Sequence, residues 1–283
     1  MSSIEVRNIS KNFGSVAALK HVNVTFAENH IYGLLGRNGA GKSTLLNLIT
    51  NKIFPTEGEI LVDGEPVLEN DRALGKIYCM TEQNLYPERM KMQDVFRWSM
   101  EFYPDFDMGY AQELCKKFEL SLQARTNTLS TGYNSIFKII VALASNAPII
   151  LLDEPVLGLD ANHRELFYKE LIENYSDHPR TIVISTHLIE EVADIIERVV
   201  IIKKGEVLLD DEVEHVVSQG YTVSGAAGAV DAYISGKNVL GCDTLGGLKS
   251  AYLMGSYNKT DIPNGLEVSA LDLQKLFIQL TNA

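Results

Sequence analysis

The sequence lacks any long hydrophobic run. Its longest apolar pieces, such as Ile149 to Leu152 and Val199 to Ile202, fall far short of the roughly 20 residues needed to cross a bilayer. Any membrane role is therefore expected to come through a partner. Cysteine is scarce: Cys79, Cys115 and Cys242 are odd in number and form no C-x-x-C pair. That spacing suggests neither a disulfide framework nor a zinc site, and the three are expected to be small buried hydrophobes in a reducing cytosol. Positive charge is also short, with 25 Lys plus Arg against 37 Asp plus Glu and a net charge of -12. A surface of that sign repels phosphate backbones, which argues against a general nucleic-acid binder. There is no internal repeat and no low-complexity stretch, and Met1-Ser2-Ser3-Ile4-Glu5 has neither a basic leader nor an apolar core, so no secretion signal is expected.

What is present is a chain of 283 residues with an ordinary hydrophobic fraction of 46%, enough for one full domain with an appendage. Its organising stretch is Gly36-Arg37-Asn38-Gly39-Ala40-Gly41-Lys42-Ser43-Thr44, between an apolar run at Ile31 to Leu35 and a leucine-rich run after Ser43. The pattern G-x-x-x-x-G-K-[ST] is a P-loop. Gly39 and Gly41 lack a Cβ, so the backbone can fold into a nest of N–H groups around a phosphate. The N-terminus of the following helix adds partial positive charge, and Lys42 adds a full one. Ser43 offers a hydroxyl to a magnesium ion bridging the outer phosphates.

Alternating runs at Ile4 to Glu28 and at Gly58 to Gly64, the latter ending in an Asp-Gly turn, predict a small antiparallel sheet beside the P-loop strand. A strand at Ile77 to Met80 leads to Gln83. Residues 84–145 then show three- and four-residue apolar spacing, which predicts a helical insert with helices at Arg89 to Phe102, Ala111 to Leu120 and Gly132 to Ser145. Strands are expected again at Pro148 to Asp153, Thr181 to Thr186, Val199 to Lys203 and Glu206 to Leu209. They alternate with helices at Asn162 to Tyr175 and Leu188 to Ile196. That alternation implies an α/β fold with a parallel sheet and ligands at its strand C-termini. The first domain is set at 1–219. Residues 220–283 are read as a small α+β accessory domain, or else a decorated tail, closed by an amphipathic helix that Ser269 to Asp272 would cap.

Four apolar residues followed by Asp153-Glu154-Pro155 form a second anchor. Both carboxylates serve one pocket only if the strand ends there, and Pro155 stops the ladder while holding Glu154 extended. Asp153 would then hold magnesium through its water shell, and Glu154 would orient and deprotonate the water attacking the γ-phosphate. His187, ending the next strand, is either a structural residue or a donor to that phosphate. Gln83, also taken to end a strand, could reach the metal or the attacking water. Phe13 either packs in the core or stacks on the nucleotide base.

The order Phe13, GRNGAGKST at 36–44, Gln83, LSTGY at 129–133, ILLDEP at 150–155, Leu159-Asp160 and His187 resembles the ATPase subunit of an ABC transporter over roughly residues 4–215. The resemblance implies ATP and Mg2+ as cofactors and two ATPase subunits, identical or different, closing head to tail. Ser130, Thr131 and Gly132 of one would cap the γ-phosphate held by Lys42 of the other, and Asp160 would sit at the dimer seam. The family's usual L-S-G-G-Q is changed here to Thr131 and Tyr133. Backbone donors and the serine hydroxyl survive that change, so the ATP sandwich is expected to persist. This variant, with the short insert and small extension, is similar to Gram-positive exporters of phenol-soluble modulins and antimicrobial peptides.

The leading expectation is thus a transport ATPase, peripheral on the cytoplasmic face of the membrane, driving an integral membrane transporter subunit. Leu85, Tyr86, Pro87, Met90, Met92, Val95 and Trp98 offer either a groove for a helix of that partner or simply the insert's own core. The alternatives are an importer ATPase, or a soluble ABC ATPase acting on nucleic acid or ribosomes. The single P-loop, the lack of sustained heptads and the acidic balance speak against the latter. No metal besides Mg2+ is expected.

Overall fold

The computed structural model describes residues 2–83, 85–258 and 261–282. Met1 and Asn84, the first residues of the expected ATPase domain and of the expected insert, lie outside the described residues. Strands β1 (Ile4–Phe13) and β2 (Val16–Phe26) form a long antiparallel hairpin. Strand β3 (Ile31–Leu35), buried throughout, leads through the P-loop into α1 (Lys42–Ile49). Strands β4 (Glu57–Val62) and β5 (Glu65–Pro66) are joined by Asp63 and Gly64, both at positive φ, the turn expected of an Asp-Gly pair. Helix α2 (Asp71–Leu74) and β6 (Ile77–Met80) follow. The insert holds α3 (Met92–Phe102), α4 (Met108–Lys117) and α5 (Thr131–Ala144).

The α/β core then resumes with β7 (Ile149–Asp153), α6 (Ala161–Asp177), β8 (Thr181–Thr186), α7 (Ile189–Val192), β9 (Arg198–Lys203), β10 (Glu206–Glu212) and α8 (Val213–Ser218). The last part comprises β11 (Gly220–Ala226), α9 (Ala227–Ile234), β12 (Val239–Leu245), β13 (Leu248–Met254), β14 (Leu266–Ala270) and α10 (Leu273–Asn282).

These strands make three sheets, in the orders β2-β1-β4-β5, β10-β9-β3-β8-β7-β6 and β12-β13-β11-β14. The central one is parallel from β9 to β6, with β10 as an antiparallel edge. Its strands are apolar on both faces, as a covered parallel sheet requires. Leu35, Ile150, Leu152 and Ile184 face the helical insert, whereas Leu34, Ile149, Leu151 and Val183 face α1 and the antiparallel sheet.

Several expected features differ. Helix α7 covers four residues rather than Leu188 to Ile196, because the amides of Ile195 and Ile196 both donate to the Val192 carbonyl and close the helix in a tight turn. Ser269 does not cap the terminal helix. It pairs with Thr222 in β14, and Asp272 accepts from the Lys275 amide instead, at 3.0 Å. Cys115 is buried, and burial pushes its thiol up to about 12; Cys79 is half-buried, and Cys242 is exposed on β12, against the expectation of three buried thiols. Strand β12 is half-buried at best, so it carries no alternation to read.

The small sheet has its own apolar cluster of Tyr221, Val223, Val230, Ala251 and Leu253. Helix α10 belongs elsewhere: Leu273, Leu276 and Phe277 are part of the core shared with α7 and the central sheet. Leu276→Ala is therefore expected to destabilise the chain by about 2–5 kcal/mol. Leu245→Ala, at an exposed hairpin tip, should change stability by less than about 0.5 kcal/mol. Urea unfolding with a core fluorescence probe measures both, and equal effects would separate α10 from the core.

Candidate functional site

The parallel register sets the site. Leu35 lies opposite Thr186, and Asp153 opposite Ser185, so β3, β7 and β8 end side by side. The chain leaving β3 passes Gly36, where a Cβ would meet the Ile202 carbonyl at 2.7 Å, and reaches Gly39 (φ 78°) and Gly41 (φ 117°). At Gly41 a Cβ would lie 2.6 Å from Leu19 Cδ2 and 2.9 Å from the Ala18 carbonyl, so β2 closes tightly against the loop. Arg37, Asn38 and Ser43 are exposed, Thr44 is half-buried, and Ala40 is buried, its amide donating to the Arg37 carbonyl. Gly41 is the N-cap of α1 and has no side chain to cap it, so the helix's first amides are left for an anion.

Lys42 is buried, and its Nζ donates to the Gly36 carbonyl at 2.8 Å. It also lies 3.6 Å from Glu154 Oε1. Glu154 is not extended, as Pro155 led one to expect, but sits at φ 48°. Proline pushes the residue before it towards extended backbone, so the left-handed conformation of Glu154 goes against the local preference. The turn carries Glu154 back over the strand end: Thr186 Oγ1 donates to Oε2 at 3.1 Å and His187 Nδ1 lies 2.9 Å from Oε1. Asp153, buried, accepts from Ser185 Oγ at 2.8 Å. The structure thus brings Lys42, Asp153, Glu154 and His187 into one cluster.

Ser130, Thr131, Gly132 and Asp160 form another. Ser130 is the N-cap of α5 and accepts from the Tyr133 amide at 3.3 Å. At Gly132 a Cβ would meet the Gly158 carbonyl at 2.6 Å, and Ser135 Oγ donates to the Leu157 carbonyl at 2.8 Å. The turn opening α5 is therefore locked against the segment leading to Asp160. Asp160 caps α6, and the His163 amide and ring that bond it hold its carboxyl below the usual range.

Phe13 ends β1 at the hairpin tip and is half exposed, with Lys11 Nζ 5.0 Å from its ring centre, which does not fit the core-packing reading. Gln83 does not end a strand. Strand β6 stops at Met80, and Gln83 lies three residues further on, exposed.

These residues fit a magnesium nucleotide: an uncapped helix N-terminus and a buried ammonium suit the phosphates, while the Ser43 hydroxyl and the Asp153 carboxylate are the hard oxygen donors that Mg2+ prefers. Bound there, the ion would neutralise charge between the outer phosphates. Sequence reasoning missed Ser185, Thr186, Gly158 and Lys138. Two hydroxyls at the end of an otherwise apolar buried strand were the available signal for the first pair. Lys42→Ala removes the ammonium, and ATP affinity by equilibrium binding is expected to fall about tenfold or more; an unchanged affinity would rule out the cradle.

Residues 19–157 match the family described as ABC transporter. The chain is 32% identical over 196 residues to the ABC transporter ATP-binding protein YtrB of Bacillus subtilis, covering 69% of this chain and 67% of that protein. It is also 32% identical over 213 residues to the aliphatic sulfonates import ATP-binding protein SsuB of Zymomonas mobilis, covering 75% and 86%. Among solved structures, the dimeric post-hydrolysis state of the ATP-binding cassette MJ0796 with ADP and Pi superposes with a TM-score of 0.64 at 31% identity, over 74% of this chain and 98% of that one. An ATP-bound bacterial Atm1-family exporter, at 17% identity and a TM-score of 0.66 over 77% and 40%, shares the fold. Close to a third of the residues shared with such relatives over most of the chain, on the same cassette fold, makes this chain a member of the ABC transporter family, an ATP-binding subunit that hydrolyses ATP.

Proposed function

We propose that two protomers close head to tail over two ATP molecules and so drive a separate integral membrane subunit, with this chain peripheral to the membrane. The observation that carries the reading is the seat of Glu154, held by Thr186 and His187 and facing Lys42. In the free chain Glu154 is the counter-charge of Lys42. A triphosphate in the nest competes for that ammonium, leaving the carboxylate to accept a proton from water aimed at the γ-phosphate. His187 holds Glu154 through Nδ1 and has Nε2 left to face the phosphate. Gln83 would complete the metal and water positions. Ser130, Thr131 and Gly132 would close over the partner's γ-phosphate, with Asp160 at the seam.

The membrane subunit would seat a short helix in the apolar groove between β6 and α3, lined by Tyr78, Leu85, Tyr86, Met90, Trp98 and Phe102. Trp98, Phe102 and Leu85 are all more than half exposed, which is costly for a monomer and ordinary for an interface core. Of the two readings of these side chains, Met92 and Val95 fit the core of the insert, being buried, and the others fit the groove.

Export of a peptide or amphipathic substrate is supported by the likeness of the LSTGY signature and the small extension to such exporters. Import is the second reading, favoured by relatives named for the import of ribose and sulfonates. Isolating the membrane subunit that purifies with the chain, and finding which solutes stimulate its ATPase activity, decides between them.

Glu154→Gln is expected to keep ATP binding, slow hydrolysis by about two to four orders of magnitude and accumulate an ATP-bound dimer on size exclusion; near-normal turnover would remove Glu154 from the role of base. Trp98→Glu should leave basal ATPase activity within about twofold while abolishing co-purification of the membrane subunit, since a charge in a desolvated hot spot has no partner. Retained co-purification would place the interface elsewhere.

A further inference from the structure

Lys138 is a cation inside the helical insert. It lies on α5 and is 5% exposed, and its ammonium donates to the carbonyls of Thr81 at 2.9 Å and Glu82 at 2.6 Å. Burial lowers its pKa, and nearby Glu82 acts the other way. A buried ammonium is costly unless its donors are met, and a methionine would fill the same space without that cost. The charge is therefore spent on gripping two backbone oxygens.

The second of those oxygens belongs to the peptide unit that contains the Gln83 amide. Because that unit is planar, fixing the Glu82 carbonyl fixes the direction in which the chain enters Gln83. On the far side, the Tyr86 ring meets Phe137, the neighbour of Lys138, edge to face at 5.1 Å, and its hydroxyl lies 3.1 Å from that of Tyr78. Helix α5 thus holds the chain before and after Gln83. The N-cap of the same helix is Ser130, eight residues away and about 12 Å along the axis.

We propose that Lys138 is a positioning residue for Gln83, tying its placement at the nucleotide to the Ser130 end of the same helix. The inference rests on the reading of Gln83 as a metal or water ligand. Movement of the Ser130 turn during closure of the pair would carry the Glu82 peptide with it.

The test uses the full chain with Lys138→Met, Lys138→Arg, Gln83→Ala and the Lys138→Met/Gln83→Ala double variant, each assayed for steady-state ATP hydrolysis. Lys138→Met is expected to lower kcat about tenfold while KM for ATP stays within about twofold. Lys138→Arg, which keeps the donors, should recover most of the rate. The double variant should be no slower than Gln83→Ala. Should Lys138→Met not stay soluble, Lys138→Ala, which likewise removes every donor to the Thr81 and Glu82 carbonyls, takes its place. Normal turnover in the Lys138 variant, or a deficit that multiplies in full onto that of Gln83→Ala, overturns the link and leaves Gln83 as a ligand. Normal turnover in Gln83→Ala removes both.

Discussion

The parallel pairing of β3 with β8 and of β8 with β7 is the constraint from which the site follows. A parallel ladder fixes which residues finish level with one another, and here Leu35, Thr186 and Asp153 reach the same edge. Each strand then hands over a different chemistry: a loop of amides and an ammonium from the first, two hydroxyls and an imidazole from the second, and two carboxylates from the third. A slip of one residue in any one of these strands would turn the groups it carries to the opposite face and away from those of the other two. The apolar contacts on both sides of the sheet hold the register, so the chemistry at the edge is maintained by burial well below it.

Two glycine-dependent contacts show how little freedom surrounds that edge. Gly41 admits β2 against the phosphate loop, and Gly132 admits the carbonyl of Gly158 against the start of α5. The latter bears on the changed signature. Thr131 brings its Cγ2 to 3.1 Å from where a Cβ on residue 158 would lie, so the larger side chain at 131 is accommodated because residue 158 has none.

Much of this was legible in the order of residues. A nest of glycines before Lys42, and four apolar residues before Asp153 and Glu154, are local patterns whose geometry follows from backbone rules, and the alternation of strands and helices gave the parallel core. What stayed hidden depends on contacts between distant segments. Thr186 and Ser185 acquire a role only because β7 lies beside β8, and Lys138 reads as a surface lysine until the chain after β6 is found across it. The left-handed turn at Glu154 was hidden for another reason. Proline favours an extended predecessor, whereas Glu154 sits at φ 48°, with its carboxylate bonded to Thr186 and His187, which lie on another strand and the residue after it.

In the last turn of helix α10 the Leu280 carbonyl accepts from Nζ of Lys203, the last residue of β9. Its middle rests on α7, two residues beyond His187, through Phe277 and Ile278. Helix α10 therefore joins the last segment of the chain to the core that also holds Ile189, Val192 and Ile201, so the backing of the strand edge that ends at Thr186 is completed by residues that lie beyond the small sheet.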